Sequence, residues 1–329
     1  MDAEFSRRKL LERDHLRALY ERSDARGLVQ AGSHFGAIAI TGYLLWQTWG
    51  TWMAVPVFMV HGILINFLYA GQHELSHGTV FKTKWLNEWL GRLIGFVMIY
   101  PRDFDKIQHF AHHQYTQNWE KDGELVREPY TLSSYLLWFF GPTYWYSRIR
   151  RIIRFSRGIV TEPYVFKTQH DLVIKEARIS LVAYVLIAAV SIYLQSWAAV
   201  ILWLAPMMTM KFVHQLQNTI EHLGLSHEDN TLINTRSTDT NPLMKWICWQ
   251  MQYHTAHHTF PSVPFWKLKE LNDEIESKLG HEVNRMGYIE FQIELIRKLS
   301  GGKSEADYPM NEVWITRRAN GTLDRVAYD

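Results

Sequence analysis

Residues 27–77 read GLVQAGSHFGAIAITGYLLWQTWGTWMAVPVFMVHGILINFLYAGQHELSH, and the fold class is predicted mainly from this segment. Its first 47 residues, from position 27 to position 73, contain no Asp, Glu, Lys or Arg. A helix needs about 20 apolar residues to cross a bilayer, so the run is long enough for two spans and a tight turn. We expect the turn at residues 47–52, around Gly50. The second span then runs directly into His73 and His77.

A second run without charge covers residues 179–210 and predicts two further spans that turn near residues 195–197. Pro206 predicts a kink in the fourth span, because proline removes a backbone hydrogen bond. That helix should continue through Lys211 and project beyond the membrane. The alternative is that both runs are buried helical hairpins of a soluble protein.

The distribution of Lys and Arg predicts the orientation of these spans. Both predicted turns are uncharged, whereas 7 Lys and Arg residues precede the first span and 15 lie between the hairpins. The positive-inside rule therefore places both termini and the middle segment in the cytoplasm. The N-terminal segment lacks the apolar core of a signal peptide. The sequence predicts an all-α, multi-pass integral membrane protein with four transmembrane helices in two hairpins and a cytosolic helical cap.

We expect a single membrane domain over residues 1–329. Its segments are a cytosolic amphipathic arm at 1–26, the first transmembrane hairpin at 27–73, a cytosolic cap with an interfacial helix at 74–178, the second hairpin at 179–217, more of the cap at 218–300 and a polar tail at 301–329. Residues 130–157 combine aromatic side chains with five arginines, as expected of a helix in the headgroup plane. A nucleic-acid patch is the competing interpretation of that mixture. The tail should be loosely held.

Composition narrows the possible functions. A formal net charge of +2, with no basic tail and no glycine-rich phosphate loop, argues against nucleic-acid binding. Cys248 is the only cysteine, so a cysteine-based zinc or iron–sulfur site is excluded, and we expect this residue to be a small buried hydrophobe. The chain has 16 histidines, and histidine is the commonest metal ligand, so their placement becomes the main question.

Three histidine motifs lie at the cytoplasmic ends of predicted spans or in the cap. They are His73-Glu74-Leu75-Ser76-His77, His109-Phe110-Ala111-His112-His113 and His254-Thr255-Ala256-His257-His258. On a helix, positions i, i+3 and i+4 share one face, so each motif can present its imidazoles toward a common centre. The first motif also fits the H-E-x-x-H pattern of a zinc protease, in which Glu74 would be the base.

A fourth group lies at the projecting end of the fourth span, where His214, Asn218 and His222 are spaced to line one helix face. We expect His222 to be a ligand, Asn218 to be a direct or water-mediated partner, and His214 to be a hydrogen-bonded interior residue. Eight or nine imidazoles exceed what one ion takes, so two metals are implied. Imidazole suits iron, zinc and copper alike. Partners for ligand N–H groups could come from Asp103, Asp105, Asp122, Glu124, Glu221 and Arg236.

The order of these motifs around two membrane hairpins resembles the membrane fatty acid desaturase and hydroxylase superfamily. The most specific likeness is to bacterial-type acyl-lipid desaturases. It rests on Asn218-Thr219-Ile220-Glu221-His222-Leu223-Gly224-Leu225, Asn234-Thr235-Arg236, Asn241-Pro242-Leu243 and the third motif running into Phe260-Pro261-Ser262-Val263-Pro264. The likeness covers most of residues 30–275.

The resemblance implies two iron ions in a cytosolic cap, O₂ as co-substrate and a lipid or acyl chain as substrate. The ligands it implies are His73, His77, His109, His112, His113, His222, His254, His257 and His258, with Asn218 matching the asparagine that holds a metal-bound water. The three-residue gap in the first motif differs from the stearoyl-CoA type, and His254 stands where front-end desaturases carry glutamine. The chain has no fused cytochrome b5 motif, so a separate donor of the ferredoxin, rubredoxin or cytochrome b5 type is required.

Three other functions remain open from the sequence. Parts of the first and fourth motifs also resemble alkane monooxygenases, so a di-iron hydroxylase of a lipid, alkane or other hydrophobic substrate is the main alternative. A membrane zinc protease would use His73 and His77 but would leave two motifs without a role. A metal transporter would place its ligands near the bilayer midplane, whereas these histidines gather on one side.

Overall fold

The computed structural model describes residues 10–317 and is mostly helical in that range. The helices are α1 (Arg13–Leu19), α2 (Asp24–Thr48), α3 (Ala54–His77), α4 (Lys84–Val97), α5 (Arg102–Gln114), α6 (Leu132–Phe139), α7 (Pro142–Ser156), α8 (His170–Tyr193), α9 (Ala205–Thr209), α10 (Lys211–His222), α11 (Thr231–Asn234), α12 (Pro242–Ile247), α13 (His254–Thr259), α14 (Leu268–Leu279) and α15 (Tyr288–Leu299). Two short strands that the sequence did not predict, β1 (Ser237–Asp239) and β2 (Arg285–Gly287), form a parallel pair.

The chain divides into two compact units. Unit 1 comprises Met1–Ser23, Ala111–Ser134 and Leu216–Asp329, and unit 2 comprises Asp24–Phe110 and Tyr135–Gln215. Neither unit is continuous in sequence. The assignment of the whole chain to one membrane domain stays a prediction.

In unit 2, α2 and α3 form the predicted first hairpin, with the chain reversing at residues 49–53. Within residues 10–317, these two helices are long and apolar enough to cross a membrane. Buried His34 ties them together, because its Nε2 donates a hydrogen bond to the Leu64 carbonyl over 2.9 Å. Helix α3 ends at His77, since Gly78 adopts a left-handed φ of 66° that stops the helix.

The second predicted hairpin is also helical. Helix α8 ends at Tyr193, and the chain turns at residues 194–197, as expected. The fourth helix is irregular, with a π-helical turn at Val200–Leu204 and a break at Met210. Pro206 has no N–H to offer the Leu202 carbonyl, and His61 of α3 instead donates to that oxygen from Nε2 over 2.8 Å. Regular helix is therefore interrupted around Pro206, whereas the kink and the membrane crossing of this hairpin stay predictions.

The predicted interfacial helix at residues 130–157 is two helices, α6 and α7, separated at Gly141, whose φ is 103°. The sequence suggested that all the arginines of this segment lie at the surface, but one of them is buried. Arg148 is only 8% exposed, and its guanidinium carbon lies 3.2 Å from the ring centroid of Tyr100 and 4.2 Å from that of Tyr144. The faces of two aromatic rings thus hold this arginine inside unit 2.

In unit 1, the prediction of a loosely held tail is wrong for residues 301–317. Arg127 binds Glu305 over 2.6 Å, and the buried Ile315 side chain packs directly over Gly224. These two contacts anchor the segment, although its composition is polar. Residues 318–329 of the tail and residues 1–9 of the N-terminal arm lie outside the described residues.

Candidate metal centre

Three predicted ligands come together in unit 2. His73 and His77 are one turn apart on α3, and His109 is on α5. The ring centroids of His73 and His109 are 4.0 Å apart, and the Nε2 atoms of His77 and His109 are 2.7 Å apart. The i, i+4 spacing read from the first motif therefore does place two imidazoles on one helix face.

Four more predicted ligands cluster in unit 1. His112, His222, His254 and His258 place one ring nitrogen each within 4.8 Å of the others. The Nε2 atom of His222 is 3.0 Å from that of His112 and 2.8 Å from that of His254. A further pair in this unit joins Nε2 of His113 and Nε2 of His257 over 3.2 Å.

The geometry of the four-histidine cluster fits a metal ion. Neutral imidazole nitrogens that face one another repel unless a cation or a proton lies between them. Two ligands at right angles on one ion, with metal–nitrogen bonds of about 2.1 Å, lie about 3.0 Å apart, which matches the Nε2 spacings seen here. His258 adds a buried Nε2 that has no hydrogen-bond partner within residues 10–317. An all-nitrogen set of this kind suits iron, zinc or copper.

Asp122 orients one of these histidines. Its carboxylate accepts hydrogen bonds from Nδ1 of His112 over 2.9 Å and from the backbone N–H groups of Gln117 and Glu124 over 2.8 Å each. Because the proton is then on Nδ1, Nε2 of His112 is left to bind a metal. In the metal-free site, burial lowers the pKa of His112, but the charges of Asp122 and Glu124 outweigh burial and raise that pKa to about 9.

His222 is held in the same manner by neutral groups. Its Nδ1 donates to the Asn234 carbonyl over 3.1 Å, and the Gln117 side chain donates to the His222 carbonyl over 2.6 Å. Gln117 thus donates to Asp122, which orients His112, and to the His222 carbonyl, yet it lies outside every histidine motif. Sequence reasoning missed it because no spacing rule connects it to them.

Arg236 does not partner a ligand N–H group, which corrects one sequence interpretation. An arginine has only donors, and this fully buried side chain donates to the carbonyls of Ile220 over 2.7 Å and Leu223 over 3.1 Å. It therefore closes the C-terminal end of α10, where carbonyls lack helical partners.

Four of the five predicted acidic partners divide into two groups. Asp122 and Glu221 contact ligand histidines, since Oε1 of Glu221 is 3.4 Å from Nδ1 of His254. Asp105 instead accepts from Gln72 over 2.8 Å, and Asp103 pairs with Arg92 and Arg102. Burial raises the pKa of Glu221 to about 8 in the metal-free protein.

The other sequence predictions have simple outcomes. His214 is a buried residue whose Nδ1 accepts from Lys211 over 2.9 Å, as expected of an interior histidine. Cys248 is fully buried. Asn218 lies one turn before His222 on α10 and is half-buried, and no hydrogen bond joins its side chain to another described residue.

Comparison with known proteins gives a consistent assignment. A family model described as fatty acid desaturase matches residues 37–289. The sn-1 oleoyl-lipid 12-desaturase of Arthrospira platensis is 24% identical over 239 residues, which are 66% of this chain and 67% of the relative. A desaturase of the same name from a Picosynechococcus species is 22% identical over 298 residues, or 80% of each chain. The sn-1 acyl-lipid omega-3 desaturase (ferredoxin) of a Synechocystis species is 22% identical over 298 residues, or 79% of this chain and 78% of the relative. The chain therefore belongs to the fatty acid desaturase family and is an oxidoreductase of that family.

Proposed function

We propose that this protein is a membrane-bound, O₂-dependent acyl-lipid desaturase, which introduces a double bond into a lipid alkyl chain. The observation that carries the proposal is the convergence of four imidazole nitrogens in unit 1, from three buried histidines and the half-buried His222, in a chain of the desaturase family. The names of the relatives favour an alkene product over the alcohol of a hydroxylase, and a lipid-linked acyl chain over a peptide. One relative's name also supports a ferredoxin-type electron donor.

Two irons are the metals that this family implies. We assign one to His112, His222, His254 and His258. We assign the other to His73, His77 and His109, and the sequence motifs make His113, His257 and Asn218 the remaining candidates. The support for two ions rather than one is the number of imidazoles, which exceeds the coordination of a single metal.

When bound, such a pair of irons supplies an oxidant that can remove hydrogen from an unactivated C–H bond. The histidines hold the metals through ring nitrogens, and Asp122 keeps the proton of His112 on Nδ1. Water has little access to the third motif, since His257 is fully buried and His258 is 2% exposed. Because an alkyl chain offers no group to polarise, its position relative to the metals decides which carbon reacts.

The proposed topology has four transmembrane helices, with the termini and the metal site in the cytoplasm. Two apolar helices in a hairpin support the first pair of spans. The second pair rests on the uncharged residues 179–210 and on the turn at residues 194–197. The excess of Lys and Arg between the hairpins supports the orientation.

Metal analysis combined with product analysis tests this function. The full-length protein, purified from membranes, should contain about two irons per chain, and a host that expresses the gene should accumulate new unsaturated lipids. A His258→Ala variant should lose iron and product while it stays in the membrane fraction. His281→Ala, at an exposed histidine outside the clusters, is the matched control. One zinc per chain, or full activity in the His258 variant, would contradict the proposal.

A further inference from the structure

His227 lies outside every histidine motif, but it belongs to unit 1 together with the four-histidine cluster. It is half-buried, and its ring stacks on that of Trp119 with 5.4 Å between the centroids and 17° between the planes. Its backbone N–H donates to the Met310 carbonyl over 2.6 Å. Its Nδ1 donates to the Gln117 carbonyl over 2.5 Å. The ring and the backbone of His227 are thus both fixed, so its Nδ1 donor holds Gln117 at a defined position.

Gln117 has an unusual backbone conformation. Its φ is 68°, in the left-handed region that residues other than glycine rarely adopt, and the residue is 4% exposed. Such a conformation persists only where surrounding contacts fix it, and it is frequent at functional sites. Asp122 accepts from the Gln117 N–H over 2.8 Å, and His227 donates to the Gln117 carbonyl. Because that N–H and that carbonyl belong to the two peptide groups that flank the Cα, the two bonds fix both peptide planes.

This conformation lets Gln117 support two candidate ligands. Its side-chain Nε2 donates to the His222 carbonyl over 2.6 Å. Its backbone N–H helps to fix the Asp122 carboxylate, which in turn accepts from Nδ1 of His112. The Nε2 atoms of His112 and His222 are 3.0 Å apart, as expected of two ligands to one ion. The spacing of these two ring nitrogens therefore depends on one residue that supports both rings.

A purely structural role for His227 is the alternative. Its stack on Trp119 and its bond to Met310 could serve only to pack the segment at residues 301–317 against the rest of unit 1. The two roles use different parts of the side chain, since packing uses the ring face and positioning uses the Nδ1 donor. The left-handed φ of Gln117 favours positioning, because packing of a ring requires no particular conformation of the residue whose carbonyl it meets.

We propose that His227 is a positioning residue of the metal centre. Its Nδ1 donor keeps Gln117 in the left-handed conformation, and Gln117 sets the spacing of His112 and His222. Loss of the donor would free the Gln117 backbone to leave the left-handed region, and the bonds that support the two ligands would then weaken together. The inference rests on the proposed metal site at the four-histidine cluster. It adds a histidine from outside the motifs to the residues on which metal binding depends.

Two substitutions of His227 separate the donor from the ring. His227→Asn keeps an N–H donor close to the position of Nδ1 but removes the ring, whereas His227→Phe keeps a ring but removes the donor. Chelator competition on the full-length, iron-loaded protein in detergent should show about tenfold weaker iron binding in His227→Phe, the lower end of the effect of losing a group that orients a ligand. Iron binding should match the wild type in His227→Asn and in the control His281→Phe, at an exposed histidine.

A spectroscopic measurement separates a change of ligand geometry from a general loss of stability. The visible absorption bands of the Co²⁺-substituted protein depend on ligand geometry, and they should shift in His227→Phe but not in His227→Asn. If His227→Phe does not fold, Gln117→Met tests the same route, because it keeps the side-chain length but removes the donor to the His222 carbonyl. It should also weaken iron binding about tenfold.

Three results would overturn this role of His227. They are wild-type iron binding in His227→Phe, wild-type iron binding in Gln117→Met, and equal weakening in His227→Phe and His227→Asn. The iron content of the wild-type protein tests the proposed function separately, because it does not depend on the variants. A wild type that holds iron while the variants match it would contradict the positioning role alone, and a wild type without metal would contradict both.

Discussion

Replacement of Asp122 by asparagine should weaken metal binding without leaving a cavity in the core. The side chain keeps its shape but loses its charge, so the hydrogen bond that it accepts from Nδ1 of His112 is no longer charge-assisted. The new NH₂ group would also face a backbone N–H, from Gln117 or Glu124, where an oxygen now accepts at 2.8 Å. Both effects release the imidazole from the orientation that directs Nε2 to the cluster.

The expected size of this effect follows from the role of such carboxylates. Loss of a group that orients a metal ligand usually costs 10–100-fold in metal affinity or activity, or about 1.4–2.7 kcal/mol. The assay is chelator competition on the iron-loaded protein, followed by product formation per bound iron. Iron should be lost at chelator concentrations about 10–100-fold lower than for the wild type.

The control is Asp273→Asn, which removes a carboxylate from an exposed pair with Lys269 on α14. Exposed pairs contribute little, so chelator competition should not change in this variant. If Asp122→Asn binds iron as tightly as the wild type, then the carboxylate does not orient His112, and the reasoning fails.

Three further predictions follow from the packing and burial of single residues. Gly224→Ala should destabilise the fold by about 1–3 kcal/mol in thermal unfolding, because a Cβ there would lie 2.5 Å from a neighbouring side chain. Gly280 has a similar φ but open space around it, so Gly280→Ala should lower the stability less. Equal losses of stability in the two variants would argue against the clash. His61→Phe should cost about 1–3 kcal/mol, since the Leu202 carbonyl loses its donor, and an unchanged melting temperature would contradict that role. In the metal-free protein, burial raises the pKa of the Glu221 carboxyl to about 8 in the folded state. Between the ordinary pKa of a glutamate and about pH 8, the folded state therefore keeps a proton on this carboxyl that the unfolded state has released. Stability should therefore fall as pH rises from about 4.5 to about 8, and Glu221→Gln should flatten that slope; an equally steep slope in the variant would refute the assignment.

The histidine positions could be predicted because a single local rule governs them. Spacings of three and four residues place imidazoles on one helix face, and the structure confirms this on α3 for His73 and His77. The inward position of Arg148 could not be predicted, because an amphipathic pattern assigns a charge to the solvent face. Its burial depends on the rings of Tyr100 and Tyr144, of which Tyr100 is distant in sequence. The anchored segment at 301–317 was missed for a similar reason, since one buried Ile315 holds a polar stretch.

The ends of the helices explain why histidines at these positions make a cation site. Many of the candidate ligands lie in the last turn of a helix, namely His77, His112, His113, His222, His257 and His258. A helix C-terminus carries about half a negative charge, so each such end favours a cation by about 0.3–1 kcal/mol. At α10 part of this charge is already used, because Arg236 donates to the Ile220 and Leu223 carbonyls. Arg236 therefore acts there by holding the end of α10 and, with it, the position of His222.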